Sequence, residues 1–514
     1  MNPAEPRLLS RQSSRLLFAT IILLFALRNL PWHLDDYDQA KQAFVSFEMV
    51  EAGQWWFQHT PAGKIATKPP LAGWLSATLF QLMGGHGWEF AWRLPPFLSA
   101  VALLLLLWKT GCRLAGPAAG LIAAAAFGLN LTAPRLATLV RTDMMLTLFV
   151  FVAGWLSLRK VQTATPWTTG ERLLLGLAVL GSMLTKGPIL YAFLLPGLAV
   201  FAGLMRWRKE RNHSWGGSPA WLAPLLVFGF WVAVGVRMSP EFYEQVVQRE
   251  FLGRFDVSDA PVHKHQPFLF YLGHLMGKIW APWSAALLAL CCIPWIRARF
   301  GPGSKPAAAR SFPTAFRRKI FQADPALLWL VCWAAGGLLL MSLVPSKRPD
   351  RIFPIIPPLC LLLGVLAQRW LQVNWPARRR IGLGVLFAAL ALSGGYTLWN
   401  IFHDHRQDQR ALVRFGEEVR RFTAGAPERL AVTDASDEGL LIYTGRTRFV
   451  AVEDAVKSWR RGEIDWMLIR KKDRKQHEAA LAPFTCPLEV GEIKNKRGPY
   501  FLLQREPSRV SAGK

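Results

Sequence analysis

The sequence predicts an all-α polytopic membrane protein of about eleven transmembrane helices, with a small α/β domain outside the membrane at its C-terminal end. Three observations support this prediction. Hydrophobic residues make up 52% of the 514 residues, including 23 Trp and 32 Phe, and one soluble core cannot bury so much apolar surface. Apolar runs of spanning length recur up to about residue 401. Beyond Phe402, polar helical stretches alternate with short β-rich runs.

The apolar runs define the predicted membrane spans. Eleven segments have the length and apolarity that a crossing requires, near residues 14–32, 95–110, 117–134, 143–158, 173–190, 189–205, 220–236, 267–296, 325–345, 352–370 and 381–401. Arginines precede the first run and no small-residue cleavage site follows it, so we expect a retained signal anchor. The run PPLAGWLSATLFQLMG (69–84) has only about 14 apolar-leaning residues, which favours an interfacial or re-entrant piece over a full crossing.

Basic clusters set the predicted orientation. With eleven spans and a cytoplasmic N-terminus, the positive-inside rule is satisfied by RLLSRQSSR, WKTGCRL, LRK, RWRKER, the stretch 297–319 and PARRR, all of which fall in the cytoplasm. The formal charge of +27 is then a topology signal beside anionic lipid headgroups, and we expect no nucleic-acid partner.

The same orientation predicts the domain organisation. Residues 1–401 form a membrane domain with long extracytoplasmic loops at 33–94 and 237–266, in a multi-pass protein of the inner membrane. Residues 402–514 form the α/β domain on the periplasmic side. Its expected helix is ALVRFGEEVRRF, and its β-rich runs are RLAVTD, RFVAV, IDWMLIR and YFLLQRE.

Ionisable residues gather on the predicted extracytoplasmic face, several of them at the ends of apolar helices. Such a position is costly and is by default a functional-site hypothesis. The alternative for any single Lys or Arg is an interfacial residue that extends to the lipid headgroups. The set is Asp35, Asp36, Asp38, Lys41, Lys68, Arg93, Arg141, Asp143, Lys186, Glu250, Arg254, His263, His265, Lys347, Arg348 and Arg351.

A group of carboxylates and cations beside lipid suits a substrate with a phosphate head and a long apolar tail. Cations would hold the phosphate and stabilise the charge that it gains as a leaving group. A carboxylate would take the proton of an acceptor hydroxyl. Polyprenyl-phosphate sugars are donors of this kind, although a proton-coupled transporter would use a similar set of residues.

Five segments, in order, carry a resemblance to a known family. They are YDQAKQAFVSFEMVEAGQWW with ATKPPLAGW in the first loop, RTDMML (141–146), LTKGPILY (184–191), EFLGRFDVSDAPVHKHQPFLFY (250–271) and PSKRPDRIFPIIPPL (345–359). The chain resembles the GT-C membrane glycosyltransferases, in particular the aminoarabinose transferases of lipid A and the related protein O-mannosyltransferases. The resemblance implies a helical core of about eleven spans, an extracytoplasmic C-terminal domain and sugar transfer in the cell envelope.

The resemblance implies roles for individual residues. Asp38 falls on the family's catalytic aspartate, with Asp36 as the runner-up, and an N-cap of a helix starting near Gln39 is the structural alternative for Asp38. Asp143 matches a second acidic position near the acceptor or base, with an N-cap as its alternative. Lys68 resembles the lysine that contacts the donor phosphate.

Further phosphate ligands and loop residues follow from the same comparison. The resemblance offers four more cations for the donor phosphate: Arg254, Lys347, Arg348 and Arg351. Glu250 lies in the matched long-loop motif. His263 and His265 are candidates for acceptor binding, with loop structure as the simpler reading.

Two departures from the family concern metal binding. The chain has Gln39 after Asp38 and Thr67 before KPP, where the aminoarabinose transferases usually have Glu. We therefore expect no required metal and no cofactor. The expected partners are membrane lipids, a polyprenyl-phosphate-linked sugar donor and a lipid A, glycolipid or protein acceptor.

Two other classes of function remain open from the sequence. A flippase or proton-coupled transporter would need a polar path across the membrane, whereas the mid-span segments are nearly free of charge. A non-catalytic scaffold of the envelope would leave the five clustered motifs unexplained.

Overall fold

The computed structural model describes residues 7–34, 37–84, 88–254, 265–300, 322–406, 411–433, 437–492 and 498–506. The chain divides into two compact units. Unit 1 comprises Met1–Arg28, Thr67–Ala72 and Arg93–Trp399, and unit 2 comprises Asn29–Ala66, Gly73–Trp92 and Asn400–Lys514. The predicted boundary at residues 401 and 402 stays a prediction.

The part of the chain up to residue 406 is almost entirely helical. Its helices are α1 (Arg11–Leu27), α2 (Tyr37–Glu51), α3 (Leu71–Leu82), α4 (Trp88–Ala115), α5 (Pro117–Gly128), α6 (Ala133–Ala137), α7 (Asp143–Thr163), α8 (Thr169–Lys186), α9 (Leu190–Arg208), α10 (Ser218–Met238), α11 (Pro240–Phe242), α12 (Phe270–His274), α13 (Trp283–Phe300), α14 (Pro325–Leu343), α15 (Ile356–Val373) and α16 (Trp375–Arg406). Two π-helical segments, Tyr243–Phe251 and Leu275–Ile279, and two 3₁₀ segments, Leu252–Arg254 and Pro349–Ile355, adjoin them.

Membrane-spanning potential is confirmed, but the number eleven is not. Among the residues that the structure describes, seven helices are long and apolar enough to cross a membrane, or eight if the pair Phe270–Ile279 and Trp283–Cys292, bent by 110°, is one span. The remaining predicted spans correspond to α1, α5 and α8. Helix α5 has only 12 residues, about 18 Å at 1.5 Å per residue, and is short for a 30 Å hydrocarbon layer.

The doubtful segment 69–84 also forms a short helix. Helix α3 has 12 residues, Leu71–Leu82, and is likewise about 18 Å long. That length agrees with the expectation that residues 69–84 do not make a full crossing.

Small residues bring the helices of unit 1 together. Helices α9 and α14 cross where a Cβ added at Gly336 would lie 2.5 Å from the backbone nitrogen of Gly197. Side chains cannot separate the backbones at such a crossing, and close approach of this kind is typical of membrane helices. Next to it, Trp329 donates an indole hydrogen bond of 3.1 Å to the carbonyl of Gly154. Buried aromatic and aliphatic side chains fill the rest of this core.

Unit 2 contains the predicted α/β domain. Its C-terminal elements are α17 (Ala411–Phe422), β1 (Leu430–Val432), α18 (Glu438–Thr444), α19 (Val452–Arg461), β2 (Trp466–Arg470), α20 (Lys471–Leu481), β3 (Phe484–Val490) and β4 (Tyr500–Arg505). The sheet order is β1-β2-β4-β3, with β1 and β2 parallel and the other two pairs antiparallel.

The sequence predicted three of these strands and the helix α17. The run RFVAV, expected to be β-rich, contributes only an isolated bridge between Thr433 and Val450. Strand β3 was not predicted. It contains Pro487, which cannot donate a ladder hydrogen bond, and it lies at the sheet edge, where proline is tolerated.

Candidate functional site: a charged cavity with apolar walls

A cavity of about 440 Å³ lies within unit 1. Its polar lining is Thr67, Lys68, Lys186, Glu250, Ser346 and Arg351. Its apolar lining is Pro69, Pro188, Ile189, Ala192, Phe228, Val232, Val247, Phe251, Leu252, Met341 and Val344. The cavity therefore joins three cations and one carboxylate to walls built from α9, α10 and α14.

Helix ends position two of the charged groups beside the cavity. Asp143 is the first residue of α7, and Lys186 is the last residue of α8. A carboxylate is stabilised at the positive N-terminal end of a helix and an ammonium at the negative C-terminal end. Gly187 follows at φ +77°, a left-handed conformation that ends α8 directly after the lysine.

Asp143 joins two cations in a buried ion-pair network. Lys186 Nζ lies 2.5 Å from Asp143 Oδ1, and Arg141 Nε lies 3.2 Å from Asp143 Oδ2. Arg141 also donates a 2.7 Å hydrogen bond to Asp350 Oδ2. The Asp143 side chain is only 2% exposed, so it is held as a carboxylate by its partners and not by water. The network fixes where Lys186, one of the three cations that line the cavity, is held.

Lys68 brings a third cation to the cavity from the loop before α3. Pro69 and Pro70 follow it and restrict the backbone there. Burial of the ammonium, and next the nearby Lys186, lower the pKa of Lys68 to about 8. Glu250 and Asp143 act in the opposite direction. The ammonium groups of Lys68 and Lys186 therefore lie close enough to repel each other, and an anion bound in the cavity would stabilise both.

The segment 345–351 contributes Arg351. Its guanidinium donates to the backbone oxygen and to the hydroxyl of Ser346, at 2.9 and 3.1 Å. Lys347 is directed elsewhere, because its ammonium donates a 3.0 Å hydrogen bond to the carbonyl of Gln266. Burial lowers the pKa of Lys347. Arg348 is exposed.

The structure therefore separates the predicted phosphate ligands into those that line the cavity and those that do not. Lys68 and Arg351 line the cavity, whereas Lys347 and Arg348 are not among its lining residues. Glu250 lines the cavity from the π-helical segment Tyr243–Phe251. The side chain of Arg254 lies outside the described part of the structure, so its role stays a prediction.

Four further predicted residues are not among the described residues that line the cavity. Asp36 and His263 are outside the described residues. His265 is exposed and forms an antiparallel bridge with Ser346, which agrees with a structural role in its loop. Asp38 belongs to unit 2. The proposed N-cap role of Asp38 is wrong, because α2 starts at Tyr37 and places Asp38 in its first turn.

The charge network also contains residues that had no predicted role. Lys186 and Arg141 were recognised as ionisable groups on the same face, and Asp350 was missed. An acid inside the basic run PSKRPDR could have signalled an ion pair, since a carboxylate close to several cations is electrostatically favoured to pair with one.

No metal site is apparent in the portion of the chain that the structure describes, where no three His, Cys, Asp or Glu side chains cluster to hold an ion. The carboxylates beside the cavity are instead paired with cations. The expectation that the protein requires no metal stays a prediction.

The arrangement suits an amphiphilic anion. Lys68, Lys186 and Arg351 can donate charge-assisted hydrogen bonds to a phosphate, while the apolar walls can take up hydrocarbon. The carboxylates Asp143, Glu250 and Asp350 balance only part of the positive charge of this region, because Arg141 adds a fourth cation. The residual charge is complementary to a phosphate group.

Comparisons with known proteins agree with this chemistry. A family model described as dolichyl-phosphate-mannose-protein mannosyltransferase matches residues 67–234. The undecaprenyl phosphate-alpha-4-amino-4-deoxy-L-arabinose arabinosyl transferase of Edwardsiella ictaluri is 26% identical over 377 residues, which cover 72% of this chain and 62% of that protein. A transferase of the same description from Sodalis glossinidius is 25% identical over 472 residues, covering 90% and 72%. The chain thus spans less than two thirds of the length of the first of these relatives.

Solved structures show the same fold. ArnT from Cupriavidus metallidurans bound to undecaprenyl phosphate matches with a TM-score of 0.72 and 17% identity, over 97% of this chain and 99% of that one. The apo state of the same protein matches with a TM-score of 0.68. The resemblance indicated by the sequence is confirmed: the chain has the GT-C fold and is similar to the aminoarabinose transferases.

Proposed function

We propose that this chain, a GT-C membrane protein similar to the aminoarabinose transferases, is a glycosyltransferase that uses a polyprenyl-phosphate-linked sugar as donor. The observation that carries the proposal is the cavity of unit 1, where Lys68, Lys186 and Arg351 meet apolar walls. The relatives named above support a donor such as undecaprenyl-phosphate aminoarabinose and a glycolipid acceptor such as lipid A. In this proposal the reaction takes place on the extracytoplasmic side of the inner membrane, as the positive-inside rule predicts.

In this proposal the cavity binds the phosphate end of the donor. The bond between the anomeric carbon and the phosphate oxygen breaks, and both electrons stay with the phosphate. Lys68, Lys186 and Arg351 stabilise the negative charge that develops on the leaving group, which is a dominant contribution in many transfer reactions. The apolar lining from α9, α10 and α14 takes the start of the polyprenyl chain.

Asp143 has a positioning role in this mechanism. Its carboxylate already accepts from Lys186 and pairs with Arg141, and two cations make it a weak base. It holds the ammonium of Lys186 beside the cavity, while Asp350 holds the other end of Arg141. Glycosyl transfer thus depends on Asp143 through the placement of these cations.

The proton of the acceptor goes to Asp38. The acceptor hydroxyl attacks the anomeric carbon from the side opposite the phosphate, in a single displacement with inversion, and Asp38 takes its proton. The resemblance of YDQAKQAF supports this role.

A transporter is less well supported. In the described residues, Asp143 and Lys186 lie at the ends of their helices, and Lys68 lies in a loop. Proton coupling across a membrane needs ionisable groups along a path, whereas Lys68 and Lys186 line one cavity and Asp143 pairs with Lys186 beside it.

Binding of undecaprenyl phosphate to the purified protein tests the cavity. We expect Lys68→Ala to weaken binding about 10- to 100-fold, because a charge-assisted contact to phosphate is removed. Lys64→Ala is the matched control, since Lys64 is an exposed lysine of the same loop, and it should bind as the wild type does. Equal affinities of the wild type and both variants would exclude the cavity as the donor site.

A further inference from the structure

Besides Asp38, helix α2 carries a buried carboxylate that needs hydrogen-bonding partners. Glu48 is fully buried in the last turn of α2, where the negative end of the helix dipole disfavours it. Arg448 donates a 3.0 Å hydrogen bond to Glu48 Oε1. The backbone N–H of His59 donates to Glu48 Oε2 at 3.4 Å, and the His59 ring nitrogen Nδ1 lies 3.6 Å from Oε1. The C-terminal end of α2 is therefore tied to Arg448 of the α/β domain.

The segment that enters α2 is tied to the same part of the domain. The backbone N–H of Leu34, four residues before Asp38, donates a 2.9 Å hydrogen bond to the Tyr443 hydroxyl. That hydroxyl donates in turn to Glu89 Oε1 at 2.7 Å. Tyr443 is only 2% exposed, and these two bonds give its buried hydroxyl both a donor and an acceptor as partners.

Glycines allow Tyr443 to reach this position. A Cβ at Gly439 would lie 2.6 Å from the carbonyl oxygen of Leu34, and a Cβ at Gly416 of α17 would collide with Tyr443. The backbone N–H of Phe449 also donates to the carbonyl of Pro61 at 3.2 Å. Packing of α18 against α2 completes the contact. Residues 439–449 of unit 2 therefore pack closely against the predicted first loop, at Leu34 and Pro61.

We propose that Tyr443 and Arg448 are positioning residues: Arg448 holds the C-terminal end of α2, Tyr443 holds Leu34 in the segment before it, and together they fix the direction in which this helix presents Asp38. The inference rests on the proposed function, in which Asp38 takes the acceptor proton. It gives the C-terminal domain a part in the reaction without placing any of its groups on the substrate. A base that is displaced by a fraction of an ångström loses much of its effect on the rate.

We call the contacts of Tyr443 and Arg448 with Leu34 and Glu48 the clamp. Two variants and one matched control test it. Tyr443→Phe removes one hydroxyl and Arg448→Met removes the partner of Glu48. Arg446→Met is the control, because the Arg446 guanidinium donates only a surface hydrogen bond to the carbonyl of Pro427 among the contacts resolved for it, at 3.1 Å. Hydrogen exchange of the amides in residues 37–51 should accelerate about tenfold in both clamp variants. It should stay at the wild-type rate in the control.

Measuring kcat and the donor Kd separately distinguishes a displaced base from a loss of folding, because unfolding would impair donor binding as well. We expect kcat to fall about tenfold in both clamp variants, while the Kd for undecaprenyl phosphate stays within about twofold of the wild-type value. In an Asp38→Asn background, Arg448→Met should cause no further loss, since the clamp acts through that carboxylate. Adding Glu48→Gln to Arg448→Met should restore part of kcat, because it removes a buried charge that has lost its arginine partner.

The two readouts separate the two proposals. Unchanged exchange in both clamp variants would overturn the clamp, whatever the enzyme does. Accelerated exchange with wild-type kcat would show that the contacts exist but do not position the base, and would equally overturn the inference. A wild type that transfers no sugar would refute the proposed function, while the exchange of residues 37–51 would still decide whether the clamp holds α2.

Discussion

Raising the pH from 7 to 9 should weaken donor binding, and the substitution Lys68→Arg should remove most of this effect. The pKa of Lys68 is lowered from 10.5 to about 8, first by burial and then by Lys186. A bound phosphate favours the ammonium form and raises this pKa. Binding is therefore strongest below pH 8, where the free protein is already protonated, and it weakens as the pH rises through 8.

The magnitude follows from the protonated fraction of Lys68. With a pKa of about 8, roughly 90% of the free protein is protonated at pH 7 and about 10% at pH 9. The Kd for undecaprenyl phosphate should then rise about ninefold, or about 1.3 kcal/mol, between these two values. An ordinary lysine of pKa 10.5 would produce almost no change over this range.

The assay is a titration of the purified protein with undecaprenyl phosphate at pH 7, 8 and 9. The ligand does not titrate in this range, because the second pKa of a phosphate monoester is near 6. Lys68→Arg is the control variant: it keeps its charge at pH 9 and should bind with a Kd that changes less than about twofold. A wild-type Kd that stays flat from pH 7 to 9 would refute the assignment of Lys68 to the phosphate.

Further perturbations probe the rest of the site and the topology. Asp38→Asn should lower turnover by about 10²–10⁴ with an unchanged Kd for the donor. If Asp38→Asn kept near-normal turnover while Asp36→Asn lost it, the general base would be Asp36, two residues earlier. Asp143→Asn leaves two buried cations without their shared partner and should destabilise the protein by about 3–5 kcal/mol, seen as a lower melting temperature in detergent, whereas an unchanged melting temperature would argue against the network. Reporter fusions after residue 402 should give a periplasmic signal, and a cytoplasmic signal would invert the predicted topology.

The helical membrane fold was predictable because hydropathy is a strong and local signal. The count of eleven spans was less secure, since α5 and α3 are similar short apolar helices and only their packing distinguishes a crossing from a partial one. Strand β3 was missed for a related reason. Its burial does not alternate, and Pro487 weakens the strand signal in its sequence.

The site was predictable in its residue types and only partly in its geometry. Lys68 and Arg351 line the cavity, as the resemblance implied, and Glu250 joins them. Single-sequence reasoning could not show that Asp143 pairs with both Lys186 and Arg141, because Lys186 lies 43 residues further along the chain and the contact with Arg141 depends on how the turn before α7 folds. Nor could it separate Arg351 from Lys347 and Arg348, since three cations within one short segment differ only in the direction of their side chains.

Sugar transfer by the purified protein in lipid vesicles tests the central claim most directly. The donor is a labelled undecaprenyl-phosphate sugar, and the acceptors are lipid A and other envelope glycolipids. We expect labelled glycolipid and free undecaprenyl phosphate to form in equal amounts with the wild type, and neither to form above background with Asp38→Asn or Lys68→Ala. Wild-type protein that binds the donor tightly but moves it across the vesicle membrane intact, with no labelled glycolipid, would contradict the transferase and identify a flippase.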